Sequence, residues 1–69
     1  MKVGVYSRER DFLYFLEHKE QITKRYPNQY VLLRGGQLVA ACNSYNLAEE
    51  IANRMFPDGL YYIQHCGSR

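Results

Sequence analysis

The chain has 69 residues, enough for a single domain spanning residues 1–69 and close to the lower size limit for a protein that folds alone. Hydrophobic residues make up 46% and charged residues 23%, with five Gly and two Pro, which excludes a disordered chain. The net charge of +2 comes from basic residues spread along the sequence, so composition gives no electrostatic signature of nucleic-acid or anionic-membrane binding.

The sequence begins with a predicted strand followed by a predicted helix. Residues 2–6 alternate valine with other side chains, which is typical of a short strand. Ser7 can cap the helix, and Pro27 ends it because the residue before a proline is biased away from helical angles. Between them, apolar residues recur at spacings of three, four and seven and predict one buried stripe: Phe12, Phe15, Leu16, Ile22 and Tyr26.

Two apolar runs on either side of Gly35 and Gly36 predict a β-hairpin, because glycine readily takes the positive φ angles of a two-residue turn. With Arg34 opposite Gln37, alternate residues fall on two faces. The predicted core face carries Val31, Leu33, Leu38, Ala40 and Cys42. The second face carries Tyr30, Leu32, Arg34, Gln37, Val39 and Ala41, and it is too apolar for a sheet surface left in water.

A second helix and a last strand complete the chain. Ser44 is the predicted cap of the helix, whose buried stripe is Ala48, Ile51, Ala52 and Met55. Residues 56–59, with the sequence FPDG, turn the chain into a strand over residues 60–66. On this strand Tyr62 and Cys66 point to one side and His65 points to the other.

The order strand, helix, strand, strand, helix, strand predicts an α+β fold, a two-layer sandwich of the β-α-β-β-α-β ferredoxin-like type. If the N-terminal strand is absent, the order becomes α-β-β-α-β. Both helices would cover the face of Val31 and Leu33 and leave the opposite face of the sheet open.

Most of the chain resembles an uncharacterised family of small prokaryotic domains of unknown function. The family pattern runs from a helix of the form YLEHKEELVKKYP through GKYVVI, DGEVVG, SYEEAL and FLIQ. The matching stretches here are YFLEHKEQITKRYPNQYVLL, RGGQLVAACNSYNLAEEIA and FPDGLYYIQHC. Asn28 stands where the family tends to have Gly, Gly35 where it tends to have Asp, and Asn46 and Leu47 where it tends to have Glu. The resemblance implies a helix end, a hairpin, a cap and a last strand, and it implies no activity.

His65 and Cys66 are adjacent, but neighbours on a strand project to opposite sides, so the ring cannot readily activate the thiol within one chain. Cys42 is predicted to be a small core residue. A metal site would need about four ligands from these three residues and His18, yet the sequence has no C-x-x-C or H-x-x-x-H pair. We therefore predict a protein that is not an enzyme, with no catalytic residue, metal or cofactor.

The sequence also gives an expectation about location. No apolar run approaches the length of a membrane span, and residues 1–10 contain no apolar signal segment. These features predict a cytoplasmic protein with no membrane partner. In that compartment the two cysteines are expected to be reduced thiols.

The apolar, Tyr-bearing sheet face is the predicted binding surface, formed by Tyr30, Leu32, Arg34, Val39 and Tyr62. We expect it to contact a second copy of the chain or a partner protein, in a homodimer or as an accessory or inhibitory subunit. The alternative is a single-stranded nucleic-acid-binding domain, in which the tyrosines stack on bases and Arg34 lies nearby. The small net charge and the lack of a Gly-Phe-rich strand signature disfavour that alternative.

Overall fold

The computed structural model describes residues 7–67, which form a small α+β structure with three helices and three strands. The helices are α1 (Arg8–Glu17), α2 (Lys19–Arg25) and α3 (Tyr45–Met55), and the strands are β1 (Tyr30–Leu33), β2 (Leu38–Cys42) and β3 (Tyr62–His65). The strand predicted over residues 2–6 lies outside the described residues. The order of the described elements follows the shorter predicted pattern, α-β-β-α-β, except that the first helix is divided into α1 and α2.

Both predicted helix caps are confirmed. The Ser7 hydroxyl oxygen accepts a hydrogen bond from the backbone N–H of Arg10 at 3.2 Å, and the Ser44 hydroxyl oxygen accepts one from Leu47 at 3.1 Å. These bonds satisfy backbone donors that have no partner inside the helix. The first helix does not run unbroken, because His18, at φ −111° and ψ 17°, separates α1 from α2.

The three strands form an antiparallel sheet in the order β2-β1-β3, so β1 lies at its centre. The ferredoxin-like order is not confirmed. That order would place the N-terminal strand between the strands of Cys42 and His65, whereas β1 lies between them in the described sheet.

The β1–β2 hairpin turns at the two glycines, as predicted. Gly35 and Gly36 have φ angles of 63° and 78°, a region that side chains with a Cβ atom rarely occupy. Beyond the turn, the backbone N–H of Arg34 donates to the carbonyl oxygen of Gln37 at 3.1 Å. The local sequence was therefore sufficient to locate this turn.

A β-bulge changes the register of the same hairpin. Leu33 pairs with Leu38 as predicted, but Leu32 pairs with Ala40, which leaves Val39 as an extra residue on β2. A shift of one residue moves every following side chain to the other face of a strand. The part of β2 after the bulge therefore has its two faces exchanged relative to the prediction.

One face of the sheet packs against α1 and α2. Val31 and Leu33 of β1 join Phe15 of α1 and Ile22 of α2 in one buried cluster, together with Cys66. All of these side chains are less than a tenth exposed. This layer agrees with the predicted position of the first helix.

The other face of the sheet is covered by α3, and the prediction that both helices share one face is wrong. Leu32 points away from its neighbours on β1, because successive strand residues alternate in direction, and it is nevertheless fully buried. Helix α3 contacts all three strands and buries Ala48 and Ala52 completely. The described structure therefore has three layers, with the sheet in the middle, instead of the two layers predicted.

The predicted helix stripes are only partly correct. Phe15 and Ile22 are buried as predicted, whereas Phe12 and Leu16 of the same stripe are exposed. Met55 of the second stripe is also exposed. No helix in the described range is both long enough and apolar enough to cross a membrane.

Candidate binding surface

The structure does not bring the five predicted binding residues together on one open face. Leu32 lies on the α3 side of the sheet and has no exposed surface, so a partner cannot contact it without unfolding the domain. Tyr62 pairs with Leu33 and therefore lies on the opposite side, towards α1. The open sheet face that the sequence predicted is thus occupied by the chain's own helix.

Arg34 is held by the loop that follows α3. Its guanidinium lies 3.4 Å from the carboxylate of Asp58 and stacks over the ring of Phe56, 4.5 Å from the ring centroid. Both contacts hold Arg34 towards this loop. They position the end of β1 against residues 56–58, and they leave Arg34 at the opposite end of β1 from Tyr30.

Val39 is half-buried and occupies the bulge of β2. In the described sheet, β2 pairs with β1 alone and is therefore an edge strand. Bulges interrupt the regular row of donors and acceptors on such an edge and disfavour pairing with another chain. Val39 is therefore a poor centre for a binding surface.

Tyr30 belongs to a group of three aromatic rings on the α3 side. Its ring centroid lies 4.6 Å from that of His65 and 5.8 Å from that of Tyr45. His65 and Tyr45 are exposed, while Tyr30 is half-buried. We call Tyr30, Tyr45 and His65 the aromatic corner. Tyr45 and His65 were absent from the predicted binding surface, because nothing in the sequence indicated that the start of α3 would approach β1.

The cysteines lie on opposite faces of the sheet. Cys66 is fully buried in the α1 and α2 layer, whereas the preceding residue, His65, is exposed on the other side. Burial raises the pKa of the Cys66 thiol, which disfavours the nucleophilic thiolate. Cys42 is buried as predicted, but it pairs with Tyr30 and so lies on the α3 side.

Within residues 7–67, no three His, Cys, Asp or Glu side chains lie close enough together to hold a metal ion. The described surface instead shows exposed apolar side chains and a groove.

Among the residues that the structure describes, the largest local group of exposed apolar side chains lies on α1. Phe12, Leu13 and Leu16 are 39%, 56% and 47% exposed and lie beside one another on the helix surface, where the Phe12 ring also contacts the ring of Tyr62 on β3, with centroids 6.2 Å apart. We call these three residues the outer face of α1. Sequence reasoning missed it by assigning Phe12 and Leu16 to the core. The signal was Leu13, an apolar residue outside the predicted stripe, which gave the helix apolar side chains on two sides.

A groove of about 490 Å³ lies beside this outer face, between α1 and the β1–β2 hairpin. Asp11 lines the groove and is fully buried. Its Oδ1 atom accepts a hydrogen bond from the backbone N–H of Gly36 at 2.8 Å. Its Oδ2 atom has no hydrogen-bond partner among the described residues. A buried carboxylate oxygen without a hydrogen-bond partner is unusual, since most buried polar atoms have one.

Comparisons of the chain with models of protein families, with curated proteins and with solved structures find no match. The resemblance described above therefore stays a prediction.

Proposed function

We propose that this chain is a non-enzymatic protein-binding domain that associates with a second copy of itself through the outer face of α1. The observation that carries the proposal is the exposure of Phe12, Leu13 and Leu16 on adjacent turns of one helix. Covering apolar surface is favourable by about 25 cal/mol per Å². A contiguous group of large apolar side chains on a small protein is a typical contact site.

The charges at the two ends of α1 favour a second copy as the partner. Before the apolar group, the exposed charged residues are Arg8, Glu9 and Arg10, two positive and one negative, with a net charge of +1. After it, they are Glu17, Lys19 and Glu20, with a net charge of −1. Two copies related by a twofold axis, with antiparallel α1 helices, would place each positive end beside a negative end. A parallel arrangement would bring like charges together.

The size of the surface limits the affinity. A stable interface buries about 800 Å² on each partner, which is more than three side chains on one helix can supply. We therefore expect a concentration-dependent dimer with a dissociation constant of about 10–100 μM. Such a dimer would still help a 69-residue chain, because small domains bury a smaller share of their surface on folding.

Sedimentation velocity over a range of protein concentrations tests the proposal. Leu16→Glu should shift the protein towards the monomer, because it places a charge at the centre of the apolar contact. Leu47→Glu is a matched control, since Leu47 is 44% exposed against 47% for Leu16 but lies on α3. Circular dichroism should show that both variants keep the fold.

Two outcomes would overturn association through this face. One is a wild-type monomer at every concentration up to about 1 mM, well above the expected dissociation constant. The other is an equal loss of association in the Leu16 and Leu47 variants. Recovery from its own cells of a complex with a different protein, disrupted by Leu16→Glu, would keep the binding function and replace the second copy with that protein.

Charge reversal tests the antiparallel orientation separately. Arg10→Glu alone should weaken association about two- to fivefold, as expected for an exposed ion pair. Combining it with Glu17→Arg should restore wild-type association, because the opposite charges again meet across the twofold axis. Failure of the double variant to recover would exclude this orientation.

Single-stranded nucleic acid is the second candidate ligand, and the aromatic corner of Tyr30, Tyr45 and His65 favours it. Exposed rings can stack on bases of any sequence. The net charge of +2 and the engagement of Arg34 by Asp58 weigh against it. Titration with an oligothymidine at low and high salt separates the candidates: salt-sensitive binding that is lost in Tyr45→Ala would favour nucleic acid.

A further inference from the structure

We propose that the groove between α1 and the β1–β2 hairpin binds an organic cation, a guanidinium or ammonium group carried on a short alkyl chain. This site is separate from the apolar contact through the outer face of α1 and does not depend on it, although Leu13 borders both and Arg10 and Glu17 also belong to the charged ends proposed to pair in the dimer. The inference rests on three features of the groove: an unpaired carboxylate oxygen, an excess of negative charge, and open space beside a glycine turn.

The unpaired oxygen of Asp11 is the first feature. A carboxylate can accept about four hydrogen bonds, and the described residues supply one, from Gly36. Leaving Oδ2 buried without a donor is costly. A ligand that brings N–H groups to this oxygen would remove that penalty. Guanidinium and ammonium groups suit the position because they carry several donors and a compensating positive charge.

The charge of the lining is the second feature. Among the described lining residues, Asp11 and Glu17 supply two carboxylates and Arg10 supplies one cationic side chain, which leaves a net charge of −1 for this part of the lining. Glu17 lies six positions after Asp11, so the two residues are about 9 Å apart along a helix that rises 1.5 Å per residue. A ligand with a cationic group at each end of a short alkyl chain could approach both carboxylates.

The shape of the groove is the third feature. Its volume of about 490 Å³ is in the range of small-molecule sites. Leu13 gives one apolar wall against which an alkyl chain can pack. Gly35 and Gly36 line the groove across from Leu13. A Cβ atom at either glycine would meet nothing within 4 Å, so the turn leaves open space there.

Amide NMR titrations test the proposal. n-Butylguanidinium should shift the backbone resonances of Asp11 and Gly36 and reach saturation, with a dissociation constant of about 1 mM for a ligand of this size. n-Butylurea, its neutral counterpart, should not produce these shifts. Agmatine, which carries a second cationic end, should bind more tightly than n-butylguanidinium because it also reaches Glu17.

Ligand affinities of substituted proteins test whether the carboxylates of Asp11 and Glu17 bind the cation. Asp11→Asn keeps an oxygen that can accept from Gly36 and removes the charge, and it should weaken n-butylguanidinium binding at least about tenfold. Glu17→Gln, at an exposed position, should remove the preference for agmatine. Glu50→Gln makes the same charge change on α3, outside the groove, and should leave both affinities unchanged.

Three results would overturn the site: shifts that do not saturate, equal binding of n-butylurea, and unchanged binding in Asp11→Asn. If Asp11→Asn fails to fold, the Glu17→Gln variant provides the test. Agmatine that still binds this variant more tightly than n-butylguanidinium does would overturn the site. A final comparison identifies the source of the cation. Tighter binding of agmatine than of the peptide acetyl-Gly-Arg-Gly-amide indicates a free small molecule, and the reverse order indicates an arginine side chain of a protein.

Discussion

The carboxylate of Asp11 and the backbone N–H of Gly36 are joined by a 2.8 Å hydrogen bond between segments 25 residues apart in the sequence. This bond connects the first turn of α1 to the turn between β1 and β2. It is a direct polar link between the first helix and the hairpin, and it helps to set where the outer face of α1 lies relative to the sheet.

Removing this link should destabilise the fold. We expect Asp11→Ala to lower the free energy of unfolding by about 1–3 kcal/mol, because the Gly36 N–H loses its partner. Asp11→Asn should cost less, since its amide oxygen can still accept. Urea unfolding measures both values. Glu9→Ala, at an exposed acidic residue of the same turn, is the control and should change stability by less than about 0.5 kcal/mol. Equal losses for Asp11→Ala and Glu9→Ala would contradict a structural role for the link.

Leu32 should behave as a core residue. Leu32→Ala is expected to cost about 2–5 kcal/mol, because the side chain is fully buried between β1 and α3. Leu47→Ala, on the exposed surface of α3, should cost less than about 0.5 kcal/mol. Thermal unfolding of the two variants makes the comparison. A folded monomer carrying Leu32→Glu would instead indicate the open sheet face that the sequence predicted.

Asn28 should tolerate glycine and reject branched residues. Its φ angle is 60°, a left-handed conformation that glycine and asparagine adopt more readily than other residues. We expect Asn28→Gly to leave stability nearly unchanged and Asn28→Val to cost about 1–2 kcal/mol. The melting temperature of the valine variant should therefore fall by about 4–8 °C for each kcal/mol lost. Similar melting temperatures for the two variants would argue against this conformation.

Stability should fall at alkaline pH. Burial raises the pKa of the Cys66 thiol and that of the Tyr62 hydroxyl. In the unfolded chain these groups ionise near their ordinary pKa values, about 8.5 and 10. Between the unfolded and folded pKa the folded state binds more protons, so the free energy of unfolding decreases as pH rises, while below about 8.5 the contribution is fully present.

Urea unfolding under reducing conditions at pH 7, 9 and 10.5 measures this dependence. Cys66→Ala should remove the part of the decline that begins near the ordinary thiol pKa, and Tyr62→Phe should remove the later part. A decline of the same size in a variant that lacks both groups would show that other residues cause it.

Features fixed by neighbouring residues were predicted well. The two serine caps depend on a hydroxyl within a few residues of a free N–H, and the hairpin turn depends on two glycines that accept positive φ angles. Each of these lies within a short stretch of sequence. The bulge at Val39 was not predictable in the same way, because an extra residue in β2 is defined only by its partner strand.

The third layer was missed although the sequence contained a signal for it. Val31, Leu32 and Leu33 are consecutive apolar residues, a pattern typical of a strand buried on both faces. The alternation of residues assigned them to two faces, but it could not say which helix would cover each face. The sequence therefore predicts a core face and an exposed binding face, whereas in the structure α3 covers the second face and the exposed apolar group lies on α1.

The central position of β1 has a consequence for how the molecule opens. β1 is the only strand in the described sheet with ladder partners on both sides, and the side chains of Val31, Leu32 and Leu33 are all fully buried. Backbone amides in such a strand exchange their hydrogen with solvent only when the whole domain unfolds. Amides on the outer edges of β2 and β3 can exchange through local fraying. The slowest exchange rates along β1 would therefore report the global stability of the domain directly, residue by residue.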